Sequence, residues 1–317
     1  MTRILITGAG GFIGRAAVAE ARARGLQVVA VVRRSAPPDW DDGVTVIRAD
    51  LSDPASVDAL RGALQGCGAV IHAAAHLGGD ADAVALDTLK GTAHLLAALP
   101  GATRLVLVSS IAVYDTARAR PGATMTESAP LFAEGAAPDP YANGKLAQET
   151  LARARGGPLW IMRPGAVWGP GRSWHALNGV DAGPLNITLT SDGELPLTHV
   201  THCARALVSA ALTDPGAIAA LNVIDDDRPT RARFVAAHRA CNGWPRIAVP
   251  LPWRVWLGLA RALRPVSAHL PGLLREPQLR ARIMPLKWPN TALRKTLGGH
   301  DDAPLEGMLE QSMRADR

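Results

Sequence analysis

The sequence predicts an α/β fold: a doubly wound parallel sheet with a smaller, irregular and mostly helical C-terminal lobe. Three observations predict it. Apolar runs that suit buried strands recur in the first half of the chain, Ala-, Leu- and Arg-rich segments with helical spacing separate them, and glycines follow the first strand. At 317 residues and 48% hydrophobic, the chain can bury a large core.

The strands and helices alternate strictly up to about residue 165. The predicted strands are 4–7, 28–32, 44–47, 69–74, 105–110 and 159–164, and the predicted helices are 14–24, 54–64, 82–99 and 142–155. Beyond this point Gly, Pro, Trp and Asn become prominent. A strand and a helix are expected to return to the sheet within 195–225, and helices broken by prolines follow.

A glycine run, TGAGGFIG at 7–14, lies between the first strand and the first helix. Glycines at such a turn permit a tight backbone and let a pyrophosphate approach the helix N-terminus. We therefore predict a Rossmann-type dinucleotide-binding domain over 1–165, to which 195–225 returns. The substrate-binding lobe is predicted over 166–194 and 226–317.

The spacing of Gly8, Gly11 and Gly14 resembles the extended short-chain dehydrogenase/reductases of the NAD(P)-dependent epimerase/dehydratase family. Other motifs agree in order: ADLSD at 49–53, HAAA at 72–75, LVSSIAVY at 107–114, YANGK at 141–145, RPGAVWGPG at 163–171 and LNVIDD at 221–226. With two tyrosines and four lysines in the chain, a Tyr with a Lys four residues later is expected by chance only about 0.03 times. The resemblance covers nearly the whole chain.

The resemblance also implies the residues that bind the cofactor. They are Gly8, Gly11, Phe12, Ile13 and Gly14 in the first turn, Arg33 and Arg34 after the second strand, Asp50 and Leu51 near the adenine, Ala73, Ala74 and Ala75 beneath the cofactor, and Ser109, Tyr141, Lys145, Pro164 and Gly165 in the later motifs.

Tyr141 is the implied acid/base of hydride transfer between a nicotinamide and a secondary alcohol or ketone. Free tyrosine has a pKa of about 10 and is a poor base at neutral pH. Lys145, one helical turn away, and an oxidised nicotinamide are expected to lower the pKa of Tyr141, and Lys145 is expected to contact the ribose. Ser110 is expected to hydrogen-bond the substrate oxygen, because related sequences carry this hydroxyl four residues before the Tyr of the V-Y pair, here Tyr114. Ser109 is expected to be a strand-end serine.

Two other functions stay open: a nucleotide-sugar epimerase and a non-catalytic NAD(P)-binding sensor. Family dehydratases carry Asp and Glu directly after the catalytic hydroxyl, and Ile111 and Ala112 stand there, so a dehydratase is excluded. Ala166 stands where sugar-nucleotide members place a phosphate-binding Asn, which disfavours the epimerase. The retained Tyr141 and Lys145 disfavour the sensor. We expect a fairly apolar small-molecule substrate.

The second strand ends in two arginines that favour NADP over NAD. An NAD enzyme usually has an Asp or Glu there, about 20 residues beyond the glycines, to bind the ribose 2′-hydroxyl. Arg33 and Arg34 can instead bind a 2′-phosphate through charge-assisted hydrogen bonds. We expect Arg33 to be the principal contact, with Arg34 second and Arg15 a phosphate neighbour.

Composition argues against several other classes. The net charge is +6, but the basic residues are scattered without interleaved aromatic residues, which argues against nucleic-acid binding. Three widely spaced cysteines, and the pair His72 and His76 at a strand end, predict no metal site. Arginines interrupt the apolar stretch 251–263, which is shorter than the roughly 20 residues of a membrane span. We expect no transmembrane segment and a cytoplasmic location; a homodimer is left open.

Three features of the second half are expected to be structural. His199 and His202 are expected to be satisfied by neighbouring groups. The helix within 251–265 is expected to be a buried cap over the substrate, in which Trp253 and Trp256 belong to the core or line the lid.

Overall fold

The structure is a computed structural model that describes residues 2–37, 40, 43–270 and 272–315. Its strands are β1 (Arg3–Thr7), β2 (Gln27–Val32), β3 (Val44–Arg48), β4 (Cys67–His72), β5 (Arg104–Val108), β6 (Leu159–Pro164), β7 (Ala166–Trp168), β8 (Gly179–Ala182), β9 (Leu185–Thr190), β10 (Leu197–His199), β11 (Ile218–Val223) and β12 (Ile247–Pro252).

The helices follow the strands in the alternation that the sequence predicts. They are α1 (Phe12–Ala23), α2 (Ser56–Ala63), α3 (Ala81–Ala83), α4 (Gly91–Ala98), α5 (Pro140–Ala154), α6 (Val200–Leu212), α7 (Arg231–Asn242), α8 (Trp253–Ala262), α9 (Glu276–Ile283), α10 (Thr291–Leu297) and α11 (Leu305–Ala315). None of the helices in the described part of the chain is long and apolar enough to cross a membrane.

Seven strands form one parallel sheet in the order β3-β2-β1-β4-β5-β6-β11. The chain starts at β1 in the middle, builds outward through β2 and β3, and then crosses to β4 on the other side. Ligands of such sheets bind outside the carboxyl ends of the strands at this reversal. The predicted doubly wound, Rossmann-type architecture is confirmed.

Helices cover both faces of the sheet, because successive residues of each buried strand point to opposite sides. Ile4 and Ile6 of β1 pack in one core layer with α1 and α6, whereas Leu5 packs in the other with α2, α4 and α5. Both layers exclude water, which explains why β1 is apolar along its whole length rather than alternating.

The helix predicted over 82–99 differs from expectation. It is divided into α3, a π-helical turn over Val84–Lys90, and α4. Such wide turns occur frequently at functional sites. Here the turn carries Asp87 to the wall of the central cavity described below.

One strand and one helix within 195–225 return to the sheet. In the described residues, β11 joins the seven-stranded sheet, and α6 packs on α1 and against β4 and β5. β10 instead pairs in parallel with β7. This separate pairing is possible because Gly165 has no side chain, and a Cβ there would collide with the carbonyl oxygen of Pro196.

The C-terminal lobe contains a sheet that the sequence analysis missed. β8, β9 and β12 form a three-stranded sheet in the order β12-β9-β8. β8 has only four residues, β9 alternates apolar and polar residues, and β12 contains two prolines, so these strands differ from the continuous apolar runs of the central strands. The division of the chain into a dinucleotide-binding domain and a substrate-binding lobe stays a prediction.

Candidate active site

A cavity of about 930 Å³ opens at the carboxyl ends of the central strands, between the sheet and the C-terminal lobe. Apart from Arg15, the residues that the sequence analysis assigned to catalysis or cofactor binding line it: Gly8, Gly11, Phe12, Ile13, Gly14, Arg33, Arg34, Asp50, Leu51, Ala73, Ala74, Ala75, Ser109, Ser110, Tyr141, Lys145, Pro164 and Gly165. The fold therefore brings together residues that come from six separate strand ends.

The glycine turn has the shape that a pyrophosphate needs. Gly8 has a φ of +63°, and a Cβ there would lie 2.7 Å from the backbone nitrogen of Ala74. A Cβ at Gly14 would collide with the carbonyl oxygen of Gly8. No described side chain caps α1 at Gly11, so its first backbone N–H groups stay available to an anion. The turn fits a dinucleotide phosphate.

The adenine end of the cavity carries both positive and negative charge. The guanidinium of Arg33 is about half exposed, and its Nη1 lies 3.1 Å from Oδ2 of Asp87. Asp50 accepts hydrogen bonds from the hydroxyl and the backbone N–H of Ser52, at 2.7 and 3.0 Å. These bonds hold the pKa of Asp50 below its usual value, so it is a fixed carboxylate.

Helix α5 places the predicted acid/base on the cavity wall. Asp139 caps the helix by accepting a 2.9 Å hydrogen bond from Ala142, and Pro140 occupies the first turn, where no N–H is needed. Residues four apart share a helix face, so Tyr141 and Lys145 both face the cavity. The Lys145 Nζ lies 6.0 Å from the centre of the Tyr141 ring.

Ser110 lies beside Tyr141 on the cavity wall. Burial raises the pKa of Tyr141 above its usual value; the neighbouring Ser110 hydroxyl opposes this rise and the charge of Asp139 adds to it. The direction is opposite to the lowering that the sequence analysis expected, because loss of contact with water raises the pKa and Lys145 is not among the groups that shift it. A phenol in this state holds its proton and can donate it.

Lys145 is buried and carries its charge with neutral partners. Its Nζ donates to the backbone oxygen of Val108 at 2.7 Å and to Oε1 of Gln148 at 3.0 Å. Burial lowers the pKa of Lys145 to about 7, although the charge of Glu149 opposes the change. Lys145 is therefore poised to gain or lose a proton near neutral pH.

A buried polar chain behind Lys145 was not found from the sequence. Gln148 Nε2 donates to Thr92 Oγ1 at 2.8 Å, and the His72 ring lies between Thr92 and Thr7, 2.9 and 2.7 Å from their hydroxyls. Burial, with a contribution from Lys145, lowers the pKa of His72 to about 3, so the ring is neutral. The two threonine hydroxyls occupy both ring nitrogens.

A second buried network separates the two serines. Ser109 donates to Oε1 of Glu149 at 2.6 Å, and the same carboxylate accepts bonds of 2.9 and 2.7 Å from Arg163. Arg163 also donates to the Tyr114 hydroxyl at 3.0 Å. The Ser109 hydroxyl is thereby bonded within the interior, whereas Ser110 lies beside Tyr141; the catalytic role of Ser110 stays a prediction.

The far end of the cavity belongs to the C-terminal lobe. Its lining combines apolar residues with charged ones: Leu177, Met284, Leu286 and Trp288, and His175, Glu194, Arg231 and Arg282. Trp253 and Trp256 belong to the core of the lobe, which is one of the two places that the sequence left open for them. Trp253 is buried in the core of the lobe, the Trp256 indole donates to the backbone oxygen of Leu273 at 2.7 Å, and neither residue lines the cavity.

His199 and His202 are satisfied by neighbours, as expected. His199 Nε2 lies 3.1 Å from the Ser312 hydroxyl, and His202 Nδ1 lies 2.9 Å from Asp225 and 3.3 Å from Asp301. His202, Asp225 and Asp301 each place one ligand atom close enough to the others to hold a cation. Their ion pairs connect α6 to the segment that precedes α11.

Residues 4–223 match the NAD dependent epimerase/dehydratase family. The chain is 28% identical over 275 residues to a 2-alkyl-3-oxoalkanoate reductase of Shewanella oneidensis, with 80% of this chain and 69% of the relative covered. It is 30% identical over 279 residues to a 2′-dehydrokanamycin reductase of Streptomyces kanamyceticus, with 84% and 69% covered. The structure of MoeE5 in complex with UDP-glucose and NAD superposes with a TM-score of 0.71 at 23% identity, covering 99% and 98% of the two chains; this likeness shows the fold.

Proposed function

The chain belongs to the NAD dependent epimerase/dehydratase family, and on this premise we propose that it is an NADP-dependent oxidoreductase acting on a secondary alcohol or ketone. The observation that carries the proposal is the position of Ser110, Tyr141 and the buried Lys145 on the wall of one cavity, with the Lys145 Nζ 6.0 Å from the centre of the Tyr141 ring. The relatives that are named reductases support ketone reduction as the direction.

A bound nicotinamide dinucleotide supplies the hydride of the reaction. Gly8, Gly11 and Gly14, with the N–H groups that open α1, would hold its pyrophosphate, and Arg33 and Arg34 would hold the 2′-phosphate. Lys145 would donate to the ribose hydroxyls. The residues present fit this group because the turn is too tight for side chains and its helix terminus has no described cap.

The protein's own contribution is to orient a carbonyl oxygen and give it a proton. Ser110 Oγ and Tyr141 Oη form a pair that can both donate to one substrate oxygen. Because burial raises the pKa of Tyr141, its phenol is protonated at neutral pH and transfers the proton to the developing alkoxide. The resulting phenolate lies near the Lys145 ammonium, which stabilises it, and it regains its proton from water after the product leaves.

Net consumption of NADPH tests the proposal against the epimerase alternative. We would incubate the protein with NADPH and a panel of neutral ketones, oxo acids and nucleotide sugars, and follow the cofactor absorbance and the products. Reduction of a ketone with equimolar NADPH oxidation is expected. Interconversion of a nucleotide sugar without net cofactor change, or no reaction with a carbonyl of any class, would contradict it. Cytoplasmic location and dimerisation stay predictions.

A further inference from the structure

Arg231 is a buried cation that lines the substrate end of the cavity. It is the first residue of α7 and only 2% exposed, and it comes from the lobe rather than from the cofactor-binding strands. Its Nε donates to the backbone oxygen of Leu177 at 2.7 Å, Nη2 to that of Arg282 at 2.6 Å, and Nη1 to the Ser191 hydroxyl at 3.3 Å. These bonds hold the guanidinium in one orientation.

No carboxylate neutralises this charge. Within the described part of the chain, Arg231 forms no ion pair, and its three recorded partners are neutral oxygens. Arg163, which is equally buried, shows the usual arrangement, because Glu149 binds it with two oxygens. An unpaired buried charge costs several kcal/mol. Burial alone accordingly lowers the pKa of Arg231 to about 10, a value at which it stays charged at neutral pH.

The surroundings of Arg231 add to the demand for an anion. A guanidinium has five N–H donors, so about two remain after the three recorded bonds. His175 also lines the cavity, and its Nδ1 accepts a 3.3 Å hydrogen bond from the backbone N–H of Leu177. The ring proton of His175 is therefore on Nε2, and this buried nitrogen has no partner among the described residues. The position of Arg231 at the N-terminus of α7 adds the positive end of the helix dipole.

One carboxylate of the lobe shares the cavity. Glu194 is held toward the segment before α10 by a 2.6 Å hydrogen bond from the backbone N–H of Trp288. It is not among the groups that shift the pKa of Arg231. The exposed Arg282 also lines the cavity, 3.7 Å from Asp139, and so does the exposed Arg172, so the lobe brings three guanidiniums against one carboxylate.

We propose that the substrate is an oxo acid with an apolar body, whose carboxylate binds Arg231 while its ketone lies at Tyr141 and Ser110. The apolar wall formed by Leu177, Met284, Leu286 and Trp288 accommodates the body of the molecule. A planar carboxylate matches the fork of a guanidinium, and desolvated partners favour it strongly. This inference rests on the proposed function, because it names the substrate class of the same site.

The test compares each oxo acid with its own methyl ester. We would measure NADPH-dependent kcat/KM for straight-chain acids of eight to twelve carbons that carry the ketone at successive positions from C3, with the ester and the phosphonate analogue of each. Loss of a charge-assisted bond predicts that the best acid exceeds its ester about tenfold to a hundredfold. Esters that react as fast as their acids would overturn the inference and leave the proposed function standing.

Variants of the cavity arginines identify the residue that binds the substrate carboxylate. Arg231→Met should remove the preference for acid over ester mainly through KM, and Arg231→Lys should restore part of it. Arg239→Met, an exposed charge on the same helix and outside the cavity lining, is the control and should keep the preference. A preference that survives Arg231→Met but is lost in Arg282→Met would overturn the assignment to Arg231.

The remaining outcomes are equally decisive. If Arg231→Met does not fold, the comparison of acids with their esters in the wild type still shows whether the protein recognises the carboxylate of the substrate. Phosphonates preferred over carboxylates would replace the oxo acid by a phosphoryl compound. Reduction of neutral ketones without any oxo acid would overturn the inference alone, whereas no reduction of any ketone would overturn the proposed function with it.

Discussion

The guanidinium of Arg33 and the carboxylate of Asp87 form an ion pair, with 3.1 Å between Nη1 and Oδ2, at the end of the cavity where the adenine ribose is expected. The pair joins the end of β2 to the π-helical turn. Asp87 is therefore already paired with the arginine that we expect to bind the NADP 2′-phosphate. A phosphate at this position has to compete with the Asp87 carboxylate for Arg33.

This competition gives opposite predictions for the two partners. Arg33→Asp should erase or reverse a preference for NADPH over NADH, because a carboxylate repels the 2′-phosphate. Asp87→Asn should tighten NADPH severalfold and leave NADH nearly unchanged, because it frees Arg33 and removes a negative charge. Dissociation constants from cofactor fluorescence measure both. Equal wild-type binding of the two cofactors, or tighter NADH, would refute the assignment.

The buried pair of Glu149 and Arg163 should dominate the stability of this region. Glu149→Ala leaves the Arg163 charge unpaired in the interior, so the free energy of unfolding should fall by about 3–5 kcal/mol. Arg153→Ala is the matched control, because Arg153 is a one-third exposed partner of the same Glu149 carboxylate. This change should lower the free energy of unfolding by about 0.5 kcal/mol. Urea denaturation measures both free energies of unfolding. Similar losses in the two variants would show that the burial of Arg163 does not determine how much this ion pair stabilises the protein.

His72 should make the protein acid-sensitive. Its pKa is about 3 in the folded chain, against about 6.5 when unfolded, so below pH 6.5 the unfolded chain takes up a proton that the folded chain refuses. The contribution of the neutral His72 to the free energy of unfolding is complete above pH 6.5 and is lost as the pH falls toward 3. About 2 kcal/mol of it is lost by pH 5. Denaturation at pH 7 and pH 5 should show a smaller loss for His72→Gln than for the wild type. Identical losses would mean that His72 is not buried in this way.

Trp288 and Trp253 should separate substrate binding from stability. Both are buried, but Trp288 lines the cavity and Trp253 packs in the core of the lobe. Trp288→Leu should raise KM for an apolar substrate severalfold, whereas Trp253→Leu should lower the melting temperature and leave KM near the wild-type value. A raised KM in the Trp253 variant alone would instead favour the alternative in which this tryptophan lines a lid over the substrate.

The sequence predicted the parts of the site that depend on short-range constraints. Gly8 and Gly14 are dictated by a turn that leaves no space for a Cβ, and Tyr141 and Lys145 by the four-residue period of one helix. Strand ends then converge because a parallel sheet aligns them. Such features are visible in a motif because their geometry is local.

The missed residues are those that meet only through tertiary packing. Arg231 follows Tyr141 by 90 positions and reaches the cavity because α7 packs on β9 of the lobe sheet. Gln148 and Thr92 surround His72 from two different helices, and Thr7 from a strand. The burial of Tyr141, which reverses the expected direction of its pKa, also has no signal in the order of residues.

Tyr141→Phe tests the central claim most directly, because it removes one oxygen and keeps the ring. With an identified ketone substrate and saturating NADPH, kcat should fall about 10²- to 10⁴-fold, the range for a lost general acid, while the dissociation constant of NADPH stays within about twofold of the wild-type value. A variant that keeps more than a small fraction of the wild-type kcat would contradict the assignment of Tyr141 as the proton donor.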